Sequence, residues 1–153
     1  MLKIPFFSKK DFFSKEEKKQ IVDAIREAEQ QTSGEVRVYV ESRCRFVDPL
    51  DRAAEVFSIL KMEHTAGHNA VLMYLAVKDR QLAIFGDHGI HEKVGEEFWN
   101  KEVVHMLTQF QNNHYADAVT KVIHDIGEAL KFHFPYDGQS DINELPDDIV
   151  FGR

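Results

Sequence analysis

The chain has 153 residues, 43% hydrophobic and 29% charged, a composition that describes one soluble globular domain able to bury about 70% of its unfolded surface. A formal charge of −7 and a pI near 5.6 argue against broad nucleic-acid binding and against an anionic membrane surface, and favour cations as partners. Cys44 is the sole cysteine, which excludes an intrachain disulfide.

The first residues, MLKIPFFSKKDFF, lack the apolar core of a signal peptide, being interrupted by Pro5 and Lys9-Lys10. No run approaches the ~20 apolar residues of a spanning helix. These features predict a cytoplasmic protein with an N-terminal extension at 1–13 and no membrane insertion.

Ser14 and Glu17 form a capping box, and Ile21, Val22, Ile25 and Ala28 recur on one face, which predicts a helix over about 14–31 ending at Ser33-Gly34. Val36, Val38 and Val40 then alternate with Arg37, Tyr39 and Glu41 as a first strand. Cys44, at its end and flanked by Arg43 and Arg45, reads as a half-buried residue more readily than as a reactive thiol. Asp48-Pro49 starts a second helix that Leu50, Ala53, Ala54, Phe57 and Leu60 carry to about Met62.

The next segment is the most informative. Val71 to Val77 is an almost unbroken apolar run, suited to a strand buried on both faces, and Leu82 to Phe85 is a second strand. Lys78-Asp79-Arg80-Gln81 is short and polar enough for a hairpin loop. A turn centred between Asp79 and Arg80 pairs Val77 with Leu82, Leu72 with Asp87, Ala70 with Gly89, and, one step further, His68 with His91. Beyond the hairpin, Val94, Phe98, Trp99, Val103, Met106, Leu107 and Phe110 trace a third helix, with Trp99 in the core; Asn112-Asn113 breaks it, and Tyr115 to Leu130 trace a fourth.

The helical crossover between the first two strands makes them parallel. The expected fold is a small three-layer α/β sandwich: a short mixed sheet of two parallel strands plus one antiparallel hairpin strand, flanked by about four helices. The domain spans 14–133, and an acidic C-terminal tail covers 134–153. That tail is either a solvated appendage or a strap docked through Leu145-Pro146 and Ile149-Val150-Phe151.

This topology gathers Glu35, His68, Asn69, Asp87, His88, His91 and Glu92 at one pole, and Asp48, Asp79 and Arg80 at the other. At the first pole, Glu35, Asn69, Asp87 and Glu92 offer the hard oxygens that suit Ca²⁺. Asp87 equally fits a turn-stabilising role, and Glu92 a helix cap. His68, His88 and His91, with His64 four residues before His68, offer a zinc alternative. Asp48, Asp79 and Arg80 form a possible second polar site. Nucleophile-elbow, P-loop, CxxC and dinucleotide-binding signatures are absent from the sequence.

Ser33-Gly34-Glu35-Val36-Arg37-Val38, Asn69-Ala70-Val71-Leu72-Met73-Tyr74-Leu75-Ala76, Lys78-Asp79-Arg80-Gln81, Gly86-Asp87-His88-Gly89-Ile90 and Tyr115-Ala116-Asp117-Ala118-Val119 follow one another in an order that resembles the TPM-domain family. That family is named for the thylakoid-lumen acid phosphatase and photosystem II repair proteins. The resemblance, over roughly 14–133, implies an α/β sandwich with a short central sheet, Ca²⁺ binding, and in some members weak acid phosphatase activity. Glu35, Asn69, Asp79, Arg80, Asp87 and Gly89 match the family's recurrent polar and glycine positions. The expected function is a cytoplasmic module that binds a divalent cation, calcium first, and acts in regulation or interaction. The alternative is a metal-assisted acid phosphatase of low activity, with Asp87 as ligand and Arg80 or a rim histidine assisting.

Overall fold

The computed structural model describes residues 12–136, 138 and 148–152. Ser14 opens the first helix, α1 (Lys15–Glu29): its hydroxyl accepts from the Glu17 amide at 3.1 Å, and the Glu17 carboxylate accepts from the Ser14 amide at 2.8 Å. β1 (Glu35–Glu41) and α2 (Pro49–Ile59) follow, the latter capped by Asp48 with Pro49 in its first turn. A hairpin of β2 (Ala70–Ala76) and β3 (Gln81–Gly86) leads into α3 (His88–Val94), α4 (Glu96–Gln111) and α5 (Tyr115–His133). A two-residue strand, β4 (Val150–Phe151), comes last.

The strands form one sheet in the order β3-β2-β1-β4, with β1 parallel to both neighbours and β3 antiparallel to β2. Val36, Val38, Val40, Val71, Met73 and Ile84 meet α1, α4 and α5 on one face. Leu72, Tyr74 and Ala83 meet Ala53, Val56 and Phe57 of α2 on the other. Every residue of β2 is buried, so its sequence cannot alternate. The mixed three-layer sandwich expected from the sequence is the fold observed, and Trp99 is in its core. Among the described residues, no helix is long and apolar enough to cross a membrane.

Two details differ from the sequence expectation, and the alternative left open for the tail is decided. The hairpin register is displaced by two residues: Leu72 faces Phe85, not Asp87, and Leu75, not Val77, faces Leu82. The cause lies on β1, because the Val77 and Lys78 amides bond the Glu41 and Ser42 carbonyls at 2.9 and 2.8 Å. Both residues are thereby held beside β1 and outside the hairpin ladder, which ends at Ala76–Gln81, so the turn is centred one residue earlier, between Lys78 and Asp79, with Arg80 at φ +53°. A two-residue slip conserves side-chain parity, so each core residue keeps its expected face.

The third helix begins earlier than expected and divides. Gly95, at φ +78°, ends α3 and starts α4, so five helices stand among the described residues. Glu92 therefore lies within α3 and does not cap the start of the long helix. Finally, the tail contributes β4, in which Val150 and Phe151 pair with Tyr39 and Val40, and Ile149 is 5% exposed. Leu145-Pro146 lies outside the described residues. So do residues 1–11 of the expected extension, whereas Phe13 is buried in the core.

Candidate functional site

The starts of β1 and β2 and the end of β3 share one rim of the sheet, where the Glu35 amide bonds the Asn69 carbonyl at 3.4 Å and the Asp87 amide bonds the Ala70 carbonyl at 2.9 Å. His68, just before β2, takes a left-handed conformation at φ +48°. Its neighbour Asn69 is 1% exposed; its amide donates to the Thr65 hydroxyl at 3.2 Å and its side-chain nitrogen to the Ser33 hydroxyl at 3.3 Å. The Asn69 Oδ1 has no hydrogen-bond partner in the protein.

Asp87 caps α3, its Oδ1 accepting from the His88 amide at 2.8 Å. The residue is 8% exposed and its Oδ2 is also without a hydrogen-bond partner in the protein. His68 Nδ1 stands 3.4 Å from Oδ2 and His88 Nδ1 stands 3.3 Å from Oδ1, while the two rings stack with centroids 4.2 Å apart. Because Oδ2 is unbonded, the His68 contact is a close approach without hydrogen-bond geometry. One ligand atom from each of His68, Asp87 and His88 lies within 4.8 Å of the others, the metal-capable cluster found among the described residues.

The remaining rim residues expected from the sequence lie outside this three-residue cluster. Glu35 is buried at the head of β1 and Glu92 is exposed on α3; neither joins the cluster. The two-residue register shift brings His68 beside Gly89 and Ile90, the latter donating its amide to the His68 carbonyl at 3.3 Å. His91 thus does not face His68; it accepts the Trp99 indole N–H at 3.0 Å. His64 is exposed beside Glu63, outside the cluster.

At the opposite pole, Asp48 caps α2, and Asp79 accepts from Arg43 Nη1 at 2.9 Å and the Cys44 amide at 2.7 Å. Arg80 is exposed in the hairpin turn. Near them, Glu41 is 3% exposed and binds Arg52 through both oxygens, at 2.9 and 3.0 Å, and also accepts the buried Tyr74 hydroxyl. Hydrogen bonding to Glu41 raises the Arg52 pKa, and burial, reinforced by the Glu41 contact, raises that of Tyr74.

A groove of about 740 Å³ runs between α4 and α5, with Glu102, Asp125 and Lys121 in its wall. Burial, with a shared proton to Asp125, pushes the Glu102 carboxyl up to about 7. Asp125, against the upward push of burial, is held below the ordinary value by hydrogen bonds from Lys121 and Glu102. The sequence reading missed Glu102, although one signal was present: it interrupts the apolar stripe Phe98–Met106 at helical spacing.

A family model for the TPM domain matches residues 7–129. The chain belongs to the TPM-domain family. The NMR structure of the BA42 protein from the psychrophilic bacterium Bizionia argentinensis is 41% identical to this TPM domain, covers 99% of this chain and 100% of its own, and superposes with a TM-score of 0.83. The N-terminal domain of the cg2496 protein from Corynebacterium glutamicum, at 16% identity and a TM-score of 0.57 over 77% of this chain and 74% of that one, shares the fold alone. No curated protein matches this TPM domain.

Proposed function

We propose that this TPM domain is a divalent-cation-binding module whose ion is held at the Asp87 rim, and that ion occupancy regulates an interaction of the domain. One observation carries this reading: Asp87 Oδ2 is a buried carboxylate oxygen with no hydrogen-bond partner in the protein, and two imidazole nitrogens approach the same carboxylate. A buried carboxylate oxygen left without a hydrogen-bond partner is costly, and a bound cation would remove that cost. Asn69 Oδ1 adds a second buried acceptor on the same rim. Calcium is the ion expected from the family resemblance; Asp87 and Asn69 would supply two of the six to eight oxygens it takes, the rest coming from main-chain carbonyls and water. The phosphatase alternative has less support, since Arg80 lies at the other end of the hairpin from Asp87.

Titration with CaCl₂ and ZnCl₂, followed by backbone amide shifts, tests the reading. The amides of 67–70 and 86–91 are expected to move, and Asp87→Asn, which keeps a capping side chain but removes the charge, is expected to abolish the movement. Shifts that spare this rim would overturn the reading. Hydrolysis of an aryl phosphate that falls sharply in Asp87→Asn would favour the phosphatase alternative.

A further inference from the structure

Resting on the reading that a cation occupies the Asp87 rim, we propose that His68, Asp87 and His88 form a two-histidine, one-carboxylate site selective for a zinc-class ion over calcium. Three features of the cluster support this. The first is donor type. Two of the three donors are imidazole nitrogens, which suit Zn²⁺, Ni²⁺ or Cu²⁺, whereas Ca²⁺ is coordinated by oxygen.

The second is spacing. Donors ~2.0–2.1 Å from a tetrahedral ion stand about 3.3–3.4 Å from one another. His68 Nδ1 stands 3.4 Å from Oδ2 and His88 Nδ1 3.3 Å from Oδ1, so each imidazole lies at that spacing from a different oxygen of the one carboxylate. The third pair, the two imidazole nitrogens, lies within 4.8 Å, a gap that side-chain rotation closes because the His68 and His88 side chains are 47% and 64% exposed.

The third is that the backbone builds the cluster. His68 is held in the left-handed region at φ +48°, an uncommon conformation for a residue other than glycine. Gly89 lets the first turn of α3 close against it: a Cβ there would meet the Gly67 and His68 carbonyl oxygens at 2.2 and 2.5 Å. Asp87 is fixed from two sides, by its own amide on the Ala70 carbonyl and by its cap on the His88 amide. Three protein donors leave a fourth position open to solvent, so the ion would keep a water or take a donor from a partner protein.

Calorimetry with ZnCl₂ and, separately, CaCl₂ on the full chain decides the matter, with amide spectra confirming that each variant is folded. Zinc is expected to bind at least about tenfold more tightly than calcium. His68→Asn, chosen because asparagine tolerates the left-handed conformation, and His88→Gln are each expected to lower zinc affinity at least about tenfold while changing calcium affinity little. His64→Ala, outside the cluster, is expected to leave zinc binding unchanged. Calcium binding at the rim with no preference for zinc would overturn this inference and leave the cation-binding function standing. So would zinc affinity untouched in both histidine variants. Binding of neither ion would overturn both.

Discussion

Gly89 meets His68 main chain to main chain: a Cβ at Gly89 would lie 2.5 Å from the His68 carbonyl oxygen, too close for any side chain without movement of the backbone. The contact couples the first turn of α3 to the loop before β2, and so brings the two imidazoles onto one carboxylate. Gly89→Ala is therefore expected to cost roughly 1–3 kcal/mol by overpacking against rigid backbone. It should lower the urea midpoint and displace the amide signals of 66–70 and 88–91 together.

The carboxylate of Glu41 is buried at the opposite pole and is satisfied by Arg52 and Tyr74. Arg52→Ala strands that charge and is expected to destabilise by about 3–5 kcal/mol. Tyr74→Phe leaves both Arg52 bonds in place and is expected to cost only about 1–2 kcal/mol. Urea unfolding of the two variants side by side checks the order; equal losses would mean that Arg52 does not carry the charge.

Glu102 has a folded-state pKa of about 7 against an ordinary 4.5, so the folded protein holds its proton more tightly than the unfolded chain does. The stability it contributes is fully present below pH 4.5 and is lost as pH rises through 7. Glu102→Gln removes the ionisation and keeps a donor for Asp125. The variant is expected to match the parent near pH 5 and to exceed it above pH 7.5 by about 1–3 kcal/mol, or roughly 2–4 °C in Tm per kcal/mol. Thermal melts at the two pH values measure the difference. Asp125, whose pKa is depressed, contributes stability that is present above the ordinary carboxylate range and is lost only as pH falls below it.

Ile149 anchors β4, which covers the free edge of β1. Ile149→Ala is expected to cost about 2–4 kcal/mol if the anchor packs as a core residue does. Hydrogen exchange should then lose protection at the Gly152 amide, which bonds the Val40 carbonyl at 2.8 Å, before the amides of β2 respond.

Much of this protein was legible in its sequence because the signals were local. The Ser14–Glu17 box, the Asp48-Pro49 start, the alternating valines of β1 and the continuous apolar run of β2 each report a backbone conformation or a burial pattern within a few residues. The parallel pairing of β1 with β2 followed from the helix between them. Even the pole at which Asp87 and Asn69 stand was readable, since a two-residue error of register conserves face and end. The composition of the cluster at that pole was not readable. It depended on which residue of the loop stood opposite Gly89, and that was decided by hydrogen bonds from Val77 and Lys78 to β1, a strand more than thirty residues earlier. Tertiary structure alone joined His68 to His88 across Asp87, turned His91 to Trp99, left Glu35 and Glu92 outside that cluster and added β4 to the edge. Spacing along the chain specifies elements and faces; side-chain convergence within a few ångströms is specified only when the elements are docked.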